Sequence, residues 1–188
     1  HEYTFCVIGC PVGAYFKGGY KAVTVWVSDD YTRAAPGGTG AAKCGGNYAG
    51  SLVAQAEAIK HGCDQVVFLD AAERKWIEEL GGMNIFFVMD DKTIVTPPLG
   101  TILPGITRAT VLGLCDDLNI PCQEGRYTPE DLFEADGAFF CGTGAEIVGI
   151  QSVDNKTFNR KWPDTHGYKI RQAYLALVRE NVSAELLV

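Results

Sequence analysis

The chain has 188 residues, a hydrophobic fraction of 47% and a net charge of −7. That length allows one domain with a good core and part of a second, and the acidic balance argues against nucleic acid as a partner. No apolar run reaches the roughly 18 residues that a membrane span needs. No basic segment followed by an apolar stretch reads as a signal peptide. The first residue is His1 rather than Met, which suggests a fragment or a processed product.

Residues 1–10, HEYTFCVIGC, partly alternate and predict a strand. Pro and Gly then break the pattern over PVGAYFKGG, as a connection would. KAVTVWVSD is β-branched and aromatic and predicts a strand. The glycine-rich stretch GGTGAAKCGGNY follows over 37–48. From Asn47 the pattern turns helical: Tyr48, Leu52, Ala56 and Ile59 recur at spacings of three to four, and His61-Gly62 closes the segment as a C-cap. On pattern alone Tyr48 reads as a helix core residue. QVVFLD is a short buried strand. NIFFVMDDKTIVTPP reads as a hairpin turning at Asp90-Asp91-Lys92. LPGITRATVLGLCDDL opens on Pro-Gly and becomes a helix, with Ile106, Thr107, Thr110 and Leu114 among its spaced positions. In TPEDLFEA, Thr128 is the expected N-cap, Pro129 the first helical residue and Asp131 the residue three after the cap. GAFFCGTGAEIVGIQSV reads as strand, glycine loop, strand, and residues 167–181 as an amphipathic helix through Ile170, Tyr174, Leu177 and Val178. Strands and helices mix without regular β-α-β alternation. The fold class is therefore α+β, with a mixed, largely antiparallel sheet and packed helices.

Seven cysteines, at 6, 10, 44, 63, 115, 122 and 141, form no C-x-x-C pair, and there are three histidines. No metal site is expected from such spacing. An odd, scattered set reads as reduced intracellular thiols, hence a cytoplasmic protein, each most simply a small buried hydrophobe.

The chemistry centres on Lys43, surrounded by five glycines in the stretch 37–48. A P-loop needs Gly before its lysine and Ser or Thr after it; here Ala42 precedes and Cys44 follows. The dinucleotide fingerprint fails as well, because Lys43 stands where its third glycine belongs. What remains is an amine presented on accessible backbone, which suits a Schiff-base lysine. Tyr48 lies five residues on. The helix start at Ile106-Thr107 offers backbone N–H groups and a hydroxyl to an anion, and Thr143, between glycines in CGTGAE, offers the same. Glu79 precedes the Gly81-Gly82 pair. Singly, each has an ordinary reading as a surface charge, a helix residue or a turn. Together they suggest a phosphorylated, aromatic cofactor near a lysine.

RAAPGGTGAAKCGGNYAGSL, EELGGMNIFFV, TPPLGTILPGITR and CGTGAEI resemble, in order, the successive motifs of branched-chain amino-acid aminotransferases, and CPVGAYF resembles the segment before them. The resemblance implies the large cofactor domain of a fold-type IV aminotransferase. Residues 1–10 would be a remnant of a small N-terminal domain, 11–20 the interdomain connection and 21–188 the large domain. It implies that Lys43 forms a Schiff base with pyridoxal 5'-phosphate and then moves a proton as catalyst. It implies that Glu79 pairs with the pyridine nitrogen, Tyr48 with the ring oxygen, and Leu103 packs on the ring face. Ile106, Thr107 and Thr143 would hold the phosphate, with Arg33 near it. Thr143, Gly144 and Ala145 would dock the substrate carboxylate, and Val12 and Tyr15 would lie near the side-chain pocket. The implied reaction transfers the amino group of leucine, isoleucine or valine to 2-oxoglutarate in a homodimer. Related D-amino-acid aminotransferases and aminodeoxychorismate lyases share the lysine and glutamate but resemble GGTGAAKCGGNY and CPVGAYF less. Most of the small domain has no counterpart here, so a non-catalytic cofactor-binding module is the alternative. Some relatives carry a redox C-x-x-C just after the phosphate threonine; Ala145 and Val148 occupy those positions, so no such switch is expected there, and Cys141 is expected to be structural.

Overall fold

A computed structural model describes residues 2–13, 21–89 and 92–179. Chain order among them is β1 (Val23–Ser28), α1 (Gly45–Lys60), β2 (Gln65–Leu69), β3 (Ile77–Leu80), β4 (Asn84–Val88), β5 (Ile94–Thr96), α2 (Ile106–Asp117), β6 (Cys122–Glu124), α3 (Pro129–Glu134), β7 (Gly137–Gly142), β8 (Glu146–Val153), β9 (Lys156–Thr157), a short 3-10 turn (Trp162–Asp164) and α4 (His166–Arg179). The strands form one sheet in the order β3-β2-β1-β8-β7-β4-β5-β6, with β9 paired to β8. Of the pairings among the described residues, β1-β2, β1-β8 and β5-β6 are parallel. The other five are antiparallel. The fold is therefore α+β on a mixed, largely antiparallel sheet, as expected.

The sheet curls. β3 and β4 are joined by the short turn at Gly81-Gly82, where the Leu80 N–H donates to Met83 O at 3.0 Å, yet they are the first and sixth strands in the order. Only a curved sheet lets both be true. Its inner face carries Val25, Val67, Leu80, Ile85, Phe87, Phe140 and Val148 in one buried cluster. Alternation puts Phe86 and Phe139 on the outer face, stacked with centroids 5.0 Å apart, where Val111 and Leu114 of α2 and Ile170 and Tyr174 of α4 cover them. Burying such aromatics contributes about 2–3 kcal/mol each.

α3 begins as its sequence demands: Thr128 Oγ1 accepts from the Asp131 N–H while the Asp131 carboxylate accepts from the Thr128 N–H, with Pro129 at the first position. α1 differs from expectation. Its buried face is Asn47, Ser51, Ala54 and Ala58, small side chains that bring the helix close to Val66 and Phe68 of β2. Leu52, Ala56 and Ile59 face outward instead, Leu52 being 69% exposed. In α4, Ile170 and Tyr174 are buried but Leu177 and Val178 are exposed; residues 180 and 181 of the expected helix, and Asp90 and Asp91 of the expected hairpin turn, lie outside the described residues. Residues 2–10 form no strand, and Tyr3, Phe5, Val7 and Ile8 are all exposed, because no strand of the described residues pairs with them. β3 and β6 were not legible: IEEL shows two adjacent carboxylates where a buried strand should be apolar. No described helix is long and apolar enough to cross a membrane.

The turn between β2 and β3 is organised by Asp70. Its carboxylate accepts the N–H groups of Ala72, Glu73, Lys75 and Trp76 at 2.7–3.1 Å. Burial opposes ionisation, but those four donors outweigh it and hold the pKa at about 2, below the ordinary 3.8. The stabilisation is therefore complete above pH 3.8 and is lost as pH falls through about 2. Asp70→Ala should lower unfolding free energy by about 1–2 kcal/mol at neutral pH, and urea titrations at pH 7 and pH 2 should show the deficit shrinking in acid.

Candidate active site

The loop that carries Lys43 is held from behind. Arg33, 7% exposed, donates from Nη2 to Thr101 O at 2.7 Å and to Gly40 O at 3.3 Å. The two loops touch so closely that a Cβ on Gly40 would stand 1.8 Å from Thr101 O, which is why glycine is needed there. Asn47, at the start of α1, donates to Thr39 O and Ala42 O at 2.8 and 2.9 Å and accepts from the Thr39 hydroxyl at 2.7 Å. Lys43 itself is exposed, its Nζ 5.2 Å from the centroid of the Tyr48 ring.

Glu79 sits on β3 and is 1% exposed. Arg33 Nε lies 3.0 Å from its Oε1. Its Oε2 accepts from Asn84 Nδ2 at 3.2 Å and from the Leu103 N–H at 3.3 Å. Burial nevertheless raises its pKa to about 7, against the pull of Arg33, the Leu103 N–H and Lys43. The neighbouring Glu78 is also buried and raised by burial, and the Thr101 hydroxyl donates to it. Arg33, expected near a phosphate, turns its Nε to Glu79 and its Nη2 to two loop carbonyls.

Lys43, Tyr48, Leu103, Ile106, Thr107, Thr143, Gly144 and Ala145 line one cavity of about 540 Å³, together with the 81–84 turn and Cys141. These expected positions thus converge from separate segments of the chain. Ile106 and Thr107 form the first turn of α2, whose N-cap Gly105 has no side chain to accept their N–H groups, so the helix start is open to an anion. A Cβ on Gly105 would lie 2.3 Å from Asn84 Oδ1 and would push that side chain out of place. Thr143, Gly144 and Ala145 are the loop between β7 and β8, which Arg179 steadies through Glu146 at 2.7 Å. Cys141 is buried, and burial pushes its thiol well up, in line with a structural role. Glu79 does not line the cavity; it lies directly behind Asn84 and Leu103. Val12 is 84% exposed and does not reach the cavity, and Tyr15 lies outside the described residues. Sequence reasoning missed Asn84, whose Nδ2 also donates to Leu103 O at 3.0 Å, and Asn47. A polar residue opening the buried strand NIFFV was the one available signal for Asn84. A second cavity, about 420 Å³, lies between the 35–38 and 97–101 loops and contains none of these groups.

Comparison with known proteins agrees with this arrangement. The family model described as amino-transferase class IV matches residues 13–153. A probable branched-chain-amino-acid aminotransferase of Streptomyces coelicolor is 48% identical over an alignment of 197 positions, gaps included, that covers 97% of this chain and 53% of the relative. The branched-chain-amino-acid aminotransferase of Mycobacterium tuberculosis is 52% identical over 162 residues, covering 81% of this chain and 44% of the relative. The chain thus spans about half the length of the curated relatives it matches. The crystal structure of the Escherichia coli branched-chain amino acid aminotransferase superposes with a TM-score of 0.81 at 35% identity, covering 94% of this chain and 58% of that one. A T.th. branched-chain amino acid aminotransferase complexed with N-(5'-phosphopyridoxyl)-L-glutamate superposes with a TM-score of 0.79 at 31% identity, covering 87% of this chain and 54% of that one. With its fold, its cavity and these matches in agreement, the chain belongs to the class IV aminotransferases, the pyridoxal-phosphate family that includes its branched-chain relatives.

Proposed function

We propose that the protein containing this chain transaminates leucine, isoleucine and valine with 2-oxoglutarate, using pyridoxal 5'-phosphate. The observation that carries this reading is the convergence of Lys43, an open helix start and the 143–145 loop on one cavity, with the Glu79 carboxylate behind its wall. The residues fit the cofactor in kind: an amine for its aldehyde, helix N–H groups and hydroxyls for its phosphate, a carboxylate for its pyridine nitrogen. When bound, pyridoxal phosphate supplies an electron sink for the pair left at the substrate Cα.

The Lys43 amine would be the base that takes the proton from the substrate Cα and, once protonated, the acid that gives it up again. Ile106 and Thr107, with Thr143, would hold the phosphate. Tyr48, with its hydroxyl, and Leu103, with its apolar side chain, would hold the ring. From behind the wall, the Glu79 carboxylate, held in place by Arg33 and Asn84, would supply negative charge on the side of the ring nitrogen. Thr143, Gly144 and Ala145 receive the substrate carboxylate. A small N-terminal domain in the whole protein would close the cavity and exclude water, which strengthens each of these contacts. The outward apolar stripe of Leu52, Val53 and Ile59 on α1 supports burial against the rest of a cytoplasmic homodimer. A second reading, a module that binds cofactor without turnover, has support only from the half-length coverage of the relatives.

Two measurements test the proposal. Borohydride reduction of the chain with pyridoxal phosphate, followed by peptide mass spectrometry, should place the pyridoxyl group on Lys43 and lose it in Lys43→Ala; label spread over surface lysines would contradict the assignment. Transfer from leucine to 2-oxoglutarate by the full-length protein should fall at least ~10³-fold in Lys43→Ala, and a wild-type protein inert toward leucine would sink the substrate assignment.

The Glu79 carboxyl has a third, cofactor-independent consequence. Its folded pKa, about 7, is above the ordinary 4.5, so its contribution to stability is full below pH 4.5 and is lost as pH rises through about 7. Without cofactor, the urea midpoint of the wild type should fall relative to Glu79→Gln across that window; parallel pH profiles would contradict it.

A further inference from the structure

Two thiols with no part in the cavity are brought together by the way α2 ends. Asn119 takes φ +52°. Its N–H donates to Asp116 O at 3.0 Å, and the Ile120 N–H reaches back to Cys115 O at 2.8 Å, the paired bonds of a Schellman cap. Pro121 then stops the helix, and its carbonyl accepts from the Ile94 N–H at 2.8 Å, which starts β6 at Cys122 beside β5. The reversal packs Cys122 against the buried cluster that contains Cys115, close enough for the two thiols to interact. Cys115 is fully buried in the outer core, while Cys122 is only partly covered, at the edge of the sheet.

The two sulfurs are unequal. The hydrogen bond from Cys115 holds the Cys122 thiol below its ordinary pKa; burial opposes this and the Arg108 guanidinium adds to it. The hydrogen bond to Cys122, and then burial, push Cys115 well up. The accessible member is thus the better nucleophile, and the buried one is placed to resolve it. Arg108 also ties the start of α2 to this strand, donating from Nη2 to Glu124 Oε2 at 2.7 Å and to Pro97 O at 3.0 Å.

We propose that Cys115 and Cys122 form a dithiol–disulfide pair, oxidised by a low-molecular-weight disulfide such as oxidised glutathione, that locks the end of α2 to the edge strand β6. The Cys122 thiolate attacks one sulfur of the reagent, whose S–S bond breaks, and the first reagent thiolate leaves and takes the Cys122 proton. The Cys115 sulfur then attacks Cys122 in the mixed disulfide; the second reagent thiolate leaves and takes the Cys115 proton. Two cysteine thiols are oxidised to one disulfide, and one reagent disulfide is reduced to two thiols. The closed pair would fasten β6 to α2 at both ends of the helix, because Arg108 and Glu124 already join them near the turn that lines the cavity.

Both cysteines, and no others, lie between Arg108 and Arg126, so trypsin releases them in the single peptide 109–126. The chain is equilibrated with graded ratios of oxidised to reduced glutathione, quenched in acid, unfolded, alkylated and digested. The expected result is a 109–126 peptide that takes no alkyl group and is lighter by its two thiol hydrogens, is restored by dithiothreitol, and appears while Cys63 and Cys141 remain alkylatable. Cys122→Ser should leave Cys115 free of both crosslink and glutathione. A glutathione adduct that persists on Cys122 without closure, or two alkylated cysteines at every ratio, would overturn the proposal.

Discussion

A guanidinium and a carboxylate, both almost wholly out of water and 3.0 Å apart, hold the site of this protein together. Arg33 follows β1, Glu79 lies on β3, and the Arg33 donors also reach the carbonyls of Gly40 and Thr101. The other carboxylate oxygen takes the Leu103 N–H and the amide of Asn84. One contact thus joins the lysine loop, a buried strand and the loop that leads into α2. Such a pair gains little over an apolar replacement of both partners, but losing one partner costs about 3–5 kcal/mol. Even with Arg33 beside it, Glu79 remains raised to about 7. The fold therefore retains a carboxyl near its titration point behind the cavity, a position whose burial weakens the isolated chain.

Much of this could be read from residues. The five glycines around Lys43 announced close backbone contact, and Gly40 against Thr101 O is that contact. Thr128, Pro129 and Asp131 predicted a capping box that the structure has. CGTGAE predicted the hairpin loop beside the cavity. The misses share a cause. β3 could not be recognised because Glu78 and Glu79 are buried by partners from Arg33 to Thr101, distant in sequence. The orientation of α1 was inverted because Ala54, Ala58 and Ser51 make a close seat on the sheet, leaving the larger apolar residues outside. Periodicity finds a helix; it does not say which of two faces meets the core when small residues allow closer packing.

The exposed apolar groups belong together in this account. Leu52, Val53 and Ile59 on α1, Ile106 at the cavity, and Tyr3, Phe5, Val7 and Ile8 before β1 are all uncovered. The chain also matches only 44–53% of the length of its curated relatives. The walls of the candidate cavity are nonetheless assembled within this chain, because Arg33, Asn47 and Asn84 fix them from inside.

A double-mutant cycle tests that internal assembly most directly. Arg33→Met, Glu79→Gln and the double variant would be compared with wild type for unfolding free energy by urea at pH 8. If the buried pair joins the loops as described, Arg33→Met is strongly destabilising because it leaves the carboxylate buried and unpaired, Glu79→Gln costs less because burial already disfavours the ionised carboxylate at this pH, and the double change costs less than the sum, with a coupling of about 1.5–3 kcal/mol. Additive effects, with no coupling, would show that the two groups act independently and that the site is held together by something else.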